Sequence, residues 1–250
     1  MSESPPHFAE PEDAYFEFFR ADSAKEPMGW ANVMSYPHVR VSARGNTGLY
    51  PTRQDYADAA DWTSREATGW VRSKGIEPVR LHESARKVHL MGGWTRFNNN
   101  DEPILSNRVT YILTKPGDSW GIQARFGTDS WSGTDDPEAA SAAVDLVAGF
   151  CSAVREQPDS AAGVCRYPLT VVDIGTVKQL QAEDQFVNAH TGTEQVRWTA
   201  RDIRAVQAGS QGVLVSAELV QSGEPTRHGL FLVGQNADSG WQMAGVSLTA

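Results

Sequence analysis

The sequence has few cysteines, a deficit of basic residues and no long apolar run, and each shortage excludes a class of protein. Cys151 and Cys165 are the only cysteines among 250 residues, and their spacing fits neither a CxxC motif nor a disulfide framework. Lysine and arginine number 22 against 31 acidic residues, a net charge of −9, which argues against nucleic acid and anionic membrane surfaces as partners. No apolar run approaches the roughly 20 residues of a membrane span, and the N-terminal residues lack the pattern of a signal peptide. We therefore expect a cytoplasmic protein with free thiols.

Signatures of bound groups are also missing. The sequence contains no glycine-rich phosphate loop, dinucleotide-binding fingerprint or zinc motif. His38 and His82 lack metal-ligand spacing to another histidine, cysteine or carboxylate pair, so we interpret them as structural or surface histidines. We expect neither a cofactor nor a metal.

One hydrolase motif is present. Gly117-Asp118-Ser119-Trp120-Gly121 matches the G-x-S-x-G pattern of esterases and lipases. In those enzymes the serine lies between a strand and a helix. Here a turn-forming Pro-Gly-Asp precedes Ser119, and the residues that follow alternate between apolar and polar as a strand does. We therefore predict a hairpin turn and no nucleophile.

Four features recur in the same order in both halves of the chain, which indicates an internal repeat. They are an acidic residue before Pro11 and Pro137, the pairs Tyr36-Pro37 and Tyr167-Pro168, the pairs Glu102-Pro103 and Glu224-Pro225, and the aligned Trp120 and Trp241. Periodicity predicts similar elements in each half. In the first half these are helices over 10–21, 27–34 and 53–70 and strands over 38–52, 76–83, 87–98, 104–114 and 120–128. In the second they are helices over 137–156 and 182–190 and strands over 169–180, 194–207, 213–221, 226–235 and 241–249. A segment rich in turn formers separates repeat one, 1–132, from repeat two, 133–250.

This order of helices and strands resembles the nuclear transport factor 2-like superfamily, also called SnoaL-like or polyketide-cyclase-like. The most specific segments are Trp94–Asn98, Thr110–Thr114 and Trp120–Phe126, which resemble a largely uncharacterised bacterial branch. The resemblance implies an α+β fold in which N-terminal helices pack on a strongly curved antiparallel sheet and enclose a cone-shaped pocket. For a tandem chain it implies an intrachain pseudo-dimer packed sheet against sheet, with further homo-oligomers left open.

The superfamily includes isomerases, dehydratases, cyclases, epoxide hydrolases and non-catalytic binders, so the fold alone implies a pocket and no particular reaction. Enolising members use a tyrosine borne on a helix, an acid and a carboxylate base. Tyr15 matches the tyrosine by position, whereas Glu83, Asp55 and Asp58 are unconvincing as the carboxylate. The Asp-Arg-Asp set of an epoxide hydrolase is not found.

Polar residues on the predicted strands of repeat one form the candidate ligand site. With Tyr15 they are Trp94, Arg96, Tyr111, Gln123 and Arg125. Strand alternation places Arg96 on the same face as Trp94, and Gln123 on the same face as Arg125. The alternative is that these residues form hydrogen bonds and ion pairs where two sheets meet.

The aligned positions of repeat two favour a site in repeat one. Gln221, Phe231, Ala244 and Val246 stand where repeat one has Arg96, Tyr111, Gln123 and Arg125. Two hypotheses follow. In the first, repeat one binds a small, partly apolar molecule and either only binds it or carries out cofactor-free isomerase, dehydratase or cyclase chemistry, while repeat two is structural. In the second, both repeats build a non-catalytic interaction or assembly module.

Overall fold

The computed structural model describes residues 6–128, 135–191, 198–236, 238 and 240–249. The chain forms two compact units. Unit 1 comprises Met1–Arg40, Gly48–Arg125 and Ile174–Thr176, and unit 2 comprises Val41–Thr47, Phe126–Asp173 and Val177–Ala250. The ends of three strands of the first sheet therefore belong to unit 2, and the predicted boundary at 132/133 lies outside the described residues.

The first half begins with two helices. They are α1 Pro11–Ala24 and α2 Pro27–Asn32, each with proline in its first turn, where the missing N–H leaves no helical hydrogen bond unmade. Glu10 and Asp13 form a reciprocal capping box that fixes the start of α1. Lys25 ends this helix in the left-handed conformation with a φ of 56°.

The predicted helix over 53–70 is wrong in its extent. The structure has two short helices there, α3 Arg53–Asp58 and α4 Thr63–Glu66. Asp61 accepts the N–H of Thr63 at 2.8 Å, a local hydrogen bond that competes with a continuous helix. The indole N–H of Trp62 donates to Asp22 at 3.0 Å and holds the intervening segment against α1.

Seven strands form the first sheet. They are β1 Met34–Ser42, β2 Thr47–Tyr50, β3 Arg72–Gly75, β4 Val79–Ser84, β5 Lys87–Phe97, β6 Pro103–Thr114 and β7 Gly121–Gly127. Their order is β2-β1-β7-β6-β5-β3, and β4 also pairs with β5. The sequence patterns do not predict the short strand β3. The apolar face of this sheet packs under α1 to α3 around a core rich in aromatic rings.

The second half repeats the arrangement. Its helices are α5 Pro137–Glu156, α6 Pro158–Gly163 and α7 Glu183–His190, and its strands are β8 Cys165–Asp173, β9 Thr176–Leu180, β10 Thr199–Gly209, β11 Gly212–Val220, β12 Arg227–Asn236 and β13 Gly240–Leu248. The sheet order is β9-β8-β13-β12-β11-β10. Read against the first sheet, β8 corresponds to β1, β13 to β7 and β12 to β6. The sheet is mixed. Strands β10 to β13 pair antiparallel in sequence, whereas β13 and β8 pair parallel.

Equivalent contacts support the repeat at the level of atoms. Tyr36 Oη donates to the Ala31 carbonyl at 2.7 Å, and Tyr167 Oη donates to the Ala162 carbonyl at 3.1 Å. The Tyr36-Pro37 and Tyr167-Pro168 peptide bonds are both cis. The predicted α+β class and the tandem order of helices and sheet are thus confirmed, while sheet-against-sheet packing of the two repeats stays a prediction.

Helix α5 is the one described helix that is long and apolar enough to cross a membrane by length and composition, over Pro137–Val154. Its residues Ala143, Val147 and Phe150 belong to the apolar core of unit 2. This contact accounts for the apolar residues on one face of the helix.

Candidate functional site

The candidate site lies in unit 1, on the face of the sheet that packs against the helices. Its framework is a chain of aromatic rings in mutual contact. Trp30 of α2 lies 4.8 Å from Tyr56 of α3 and 5.6 Å from Phe18 of α1, measured between ring centroids. Tyr111 of β6 lies 6.1 Å from Phe18. Rings at these separations and tilts form a rigid wall.

Tyr111 and Arg125 come together on this wall. The Arg125 guanidinium carbon lies 5.2 Å from the Phe18 ring and 5.5 Å from the Tyr111 ring. The Tyr111 hydroxyl and Arg125 Nε are both buried without a hydrogen-bond partner. Burial raises the pKa of Tyr111 to about 12, so its phenol is neutral at ordinary pH.

Strand β1 adds two residues that sequence reasoning did not place in the site. His38 and Arg40 are two positions apart on the strand, and both contact Tyr50 and Tyr56. Their side chains therefore share the inner face. The Arg40 guanidinium carbon also lies 4.9 Å from the Trp30 ring, and it donates a hydrogen bond to the Tyr56 hydroxyl.

The contacts of His38 fix its tautomer. Its Nδ1 lies 2.8 Å from the Ile122 carbonyl oxygen, which can only accept, so Nδ1 carries the proton. Nε2 is then a buried acceptor, and it has no partner. Burial, together with the nearby Arg40, holds the pKa of His38 well below its usual range, and the ring is neutral. His38 is thus a buried histidine with one of its two ring nitrogens hydrogen-bonded to the backbone. His82 is also buried and pairs with His89 through the two Nδ1 atoms at 2.8 Å.

The buried carboxylate of this region is Asp22, near the end of α1. It accepts hydrogen bonds from the Trp62 indole and from the guanidinium of Arg65. Its side chain is 4% exposed. No sequence pattern predicts this role, because Asp22 follows the apolar run of α1 as an ordinary surface residue would.

Trp94 and Arg96 share a face, as strand alternation predicts. The Arg96 guanidinium carbon lies 4.4 Å from the Trp94 ring. Burial and the guanidinium group of Arg65 lower the pKa of Arg96. The arginine thus lies at the edge of the same cationic region.

Two residues of the predicted set have structural contacts instead. The Tyr15 hydroxyl lies 2.7 Å from the Ile76 carbonyl oxygen and 2.8 Å from that of Gly93, so α1 is tied to the sheet. Gln123 accepts from Thr114 Oγ1 at 2.7 Å and donates to the Pro37 carbonyl at 2.6 Å. It is directed away from the face that carries Tyr111 and Arg125.

Gln123 and Arg125 do not share a face of β7, because Ile122 and Arg125, three residues apart, both contact residues of the core. In the corresponding strand β13 the pairing shifts between Leu232 and Val233, so that Met243 and Val246, three residues apart, both lie in the core. The same spacing places Ile122 in the core of unit 1 and Arg125 over Phe18. Period-2 alternation fails at such an irregularity.

The polar core of unit 1 has an apolar counterpart in unit 2. Matched by position in the repeat, His38 corresponds to Leu169, Arg40 to Val171, Tyr56 to Phe186, Tyr111 to Phe231 and Arg125 to Val246. Equivalent backbone hydrogen bonds support the matching: Ile122 N–H donates to Val33 and Met243 N–H to Val164, both at 2.9 Å. Unit 2 therefore shows the core that this fold builds without a polar site.

A polar cleft in unit 2 is a weaker candidate for a binding site. The cleft, of about 670 Å³, is lined by Arg44, Arg166, Gln211, Gln235, Asn236 and Gly240. Arg166 already donates to the carbonyl groups of Ala43 and Ser42 at 2.6 and 3.1 Å. Among the described residues no group of three or more histidine, cysteine or acidic side chains could hold a metal ion.

Ser119 is a turn residue, as predicted. Its Oγ accepts the N–H of Phe8 at 2.9 Å and lies 3.3 Å from the carbonyl oxygen of Trp120. The strand β7 follows at Gly121. The surroundings are thus those of a hairpin and not of a nucleophile elbow.

Comparisons with known proteins concern the fold. No family model and no curated protein matches the sequence. A ketosteroid isomerase-like protein from Erwinia carotovora atroseptica is 14% identical with a TM-score of 0.38, over 45% of this chain and 96% of that chain. A domain of unknown function with a cystatin-like fold from Nostoc punctiforme is 16% identical with a TM-score of 0.40, over 57% and 97%.

A nuclear transport factor 2-like protein with a cystatin-like fold from Novosphingobium aromaticivorans is 8% identical with a TM-score of 0.38, over 44% of this chain and 80% of that chain. The order of elements in each half, helices followed by a sheet, is a property of this chain's own structure. The chain is thus a tandem α+β protein, and its resemblance to the nuclear transport factor 2-like superfamily stays a prediction.

Proposed function

We propose that unit 1 binds a small molecule between its helices and its sheet, and that unit 2 is structural. The observation that carries this proposal is a group of six buried polar atoms without a partner in unit 1: Trp30 Nε1, Asn32 Oδ1, His38 Nε2, Arg40 Nε, Tyr111 Oη and Arg125 Nε. Asn107 Oδ1 and Thr110 Oγ1 of unit 1 and Thr170 Oγ1 and Gln207 Oε1 of unit 2 are also buried without a partner. Each such atom costs about 1–3 kcal/mol when it is left unpaired. A ligand that pairs with the group of six would recover this cost, and the apolar counterparts in unit 2 carry no such cost.

The binding test is a ligand-observed NMR screen of the whole protein against small aromatic acids and their neutral analogues. Because the chain has eight tryptophans, a hit is located near Trp30 where Trp30→Phe reduces the quenching of tryptophan fluorescence that the compound causes. We expect Arg40→Met to abolish binding, because Arg40 lies within the aromatic wall. Arg20→Gln is the matched control, since that side chain is 53% exposed and pairs with Glu17 and Glu26. The proposal fails if no compound of either charge binds, or if both variants bind alike.

Proton transfer is a second candidate function of the same site. His38 Nε2 is an unprotonated acceptor held in one tautomer, and the Tyr111 hydroxyl is a donor without a partner in the same unit. Such a pair is suited to remove and to donate a proton in a water-poor interior. Its test is exchange of a ligand C–H in deuterated water, which His38→Leu should stop while the ligand still binds.

The alternative of a non-catalytic assembly module predicts a different result. In that case the polar core would serve only the fold, and no small molecule would protect unit 1 from unfolding. Variants that remove its polar groups would then lower stability rather than binding.

A further inference from the structure

The charges around the proposed site are uneven. Four guanidinium groups lie against the aromatic residues of this core, those of Arg40 and Arg65 on Trp30, that of Arg125 on Phe18 and that of Arg96 on Trp94, and the buried carboxylate of the region is Asp22. Asp22 is already engaged by Arg65 and by the indole of Trp62. Among the described residues, no ion pair joins Arg40, Arg96 or Arg125 to a carboxylate. The core of unit 1 thus carries a local excess of positive charge, although the whole chain has a net charge of −9.

Buried positive charge without a counter-ion destabilises the folded state, and contacts with aromatic rings offset only part of this destabilisation. Aromatic faces attract Arg40, whose guanidinium carbon lies 4.8 Å from the Tyr56 ring and 4.9 Å from the Trp30 ring. Ring contacts cover the flat faces of the guanidinium and leave N–H donors at its edge, where Nε has no partner. An anion supplies the acceptor that those donors lack.

The unpaired atoms also define a hydrogen-bonding pattern. Trp30 Nε1, Arg40 Nε and Arg125 Nε can only donate, and the Tyr111 hydroxyl can donate. His38 Nε2 can only accept, because its Nδ1 proton is used by Ile122. A ligand that satisfies both kinds of group needs several acceptor atoms and a donor of its own.

The distance between a donor, Arg40, and the acceptor, His38, is set by their positions on β1. His38 and Arg40 are two residues apart on one strand face, which places their backbones roughly 7 Å apart. Both side chains contact the rings of Tyr50 and Tyr56. A flat apolar body that lies on these rings could present its anionic end to Arg40 and its donor end to His38.

We propose, on the basis of the binding function proposed above, that the ligand of unit 1 is a small organic carboxylate that also carries a hydroxyl group. Arg40 and Arg125 bind the carboxylate, and His38 Nε2 accepts the hydroxyl proton. Tyr111 donates a further hydrogen bond to the carboxylate. The monohydroxybenzoates have this chemistry at about the required length and are suitable probes.

The test is calorimetric titration of the whole protein with the three hydroxybenzoate isomers, the matching hydroxybenzamides and the matching methoxybenzoates. We expect at least one hydroxybenzoate to bind and its amide to bind at least about tenfold more weakly, because charge-assisted hydrogen bonds are lost. The methoxy analogue should also bind more weakly to the wild-type protein. His38→Leu should remove the difference between hydroxyl and methoxy compounds while it leaves the preference for acid over amide.

Failure of this proposal can be separated from failure of the binding function. If an amide binds as tightly as its acid, the anionic class is wrong and the site stands. If no member of the series binds but the wider screen finds another ligand near Trp30, the proposed class is again wrong and the site stands. If neither series nor screen yields a ligand, both proposals fall.

Discussion

At the residue scale, two buried tyrosines that contact each other differ in the hydrogen bonding of their hydroxyl groups. Tyr15 and Tyr111 lie 5.0 Å apart between ring centroids, and both are fully buried. The Tyr15 hydroxyl binds the backbone at Ile76 and Gly93, whereas the Tyr111 hydroxyl has no partner. Only the first can contribute to stability through its hydroxyl.

Tyr111→Phe and Tyr15→Phe form a matched pair of variants. We expect Tyr111→Phe to leave the free energy of unfolding unchanged or to raise it by up to about 1 kcal/mol, because an unpaired buried hydroxyl is removed. Tyr15→Phe should lower it by about 1–3 kcal/mol, because the Ile76 carbonyl loses a donor and the Gly93 N–H loses its acceptor. Urea unfolding of both variants measures the difference. A clear loss of stability in Tyr111→Phe would mean that its hydroxyl has a structural role.

His38 predicts a pH dependence. The folded-state pKa of this histidine lies well below its usual value, so between the two values the unfolded state binds more protons. Stability should therefore fall as pH drops below about 6.5, by at most about 1.4 kcal/mol per pH unit from this group. His38→Leu should show a shallower loss between pH 7.5 and 5, measured by urea unfolding at each pH. Equal slopes in the two proteins would show that His38 does not remain neutral in the fold.

At the element scale, the periodic patterns predicted most helices and strands and missed the irregular ones. Helix α5 coincides with the predicted 137–156 because its proline, acidic first turn and apolar residues all agree. The break in the predicted helix at 53–70 had one local signal, Asp61, whose carboxylate accepts the N–H of Thr63, and one that needs the fold, the contact of Trp62 with the distant Asp22. Likewise, the irregular spacing that sets Gln123 and Arg125 on different faces of β7 is not contained in the residue pattern of that strand.

The site was predictable only in part for a similar reason. Trp94, Arg96, Tyr111 and Arg125 stood out by comparison with repeat two, and the structure places them near one another. Asp22, His38 and Arg40 needed the fold, because they come from α1 and β1 and meet the others only through tertiary packing. The substitutions Leu169 and Val171 in repeat two were the available signal for His38 and Arg40.

Strand β5 contains a glycine whose backbone makes the tyrosine anchor possible. Gly93 has a φ of +154°, and a Cβ there would lie 2.2 Å from the Asn107 carbonyl oxygen. We expect Gly93→Ala to lower stability by more than about 2 kcal/mol. Gly117→Ala is the control and should change it by less than about 0.5 kcal/mol, since no atom lies within 4 Å of the added carbon. Thermal unfolding of the two variants compares them, and a tolerated Gly93→Ala would contradict the strained geometry.

At the scale of the whole molecule, one fold is built twice with two kinds of core. Unit 2 buries Leu169, Phe231 and Val246 in a core with few polar groups. Unit 1 buries His38, Tyr111 and part of Arg125 at the matching positions. The fold does not require these polar groups, because its second copy dispenses with them.

Reciprocal substitutions test this asymmetry. Arg125→Met keeps the length of the side chain and removes a charge that has no ion-pair partner among the described residues, so stability should hold or rise while binding to unit 1 is lost. Val246→Arg places a charge in the apolar core of unit 2 and should cost about 3–5 kcal/mol. Calorimetric unfolding of each variant gives the stability, and the hydroxybenzoate titration gives the binding. If Arg125→Met destabilised the protein as much as Val246→Arg, the arginine would be a structural element of unit 1 and the functional division between the two repeats would not hold.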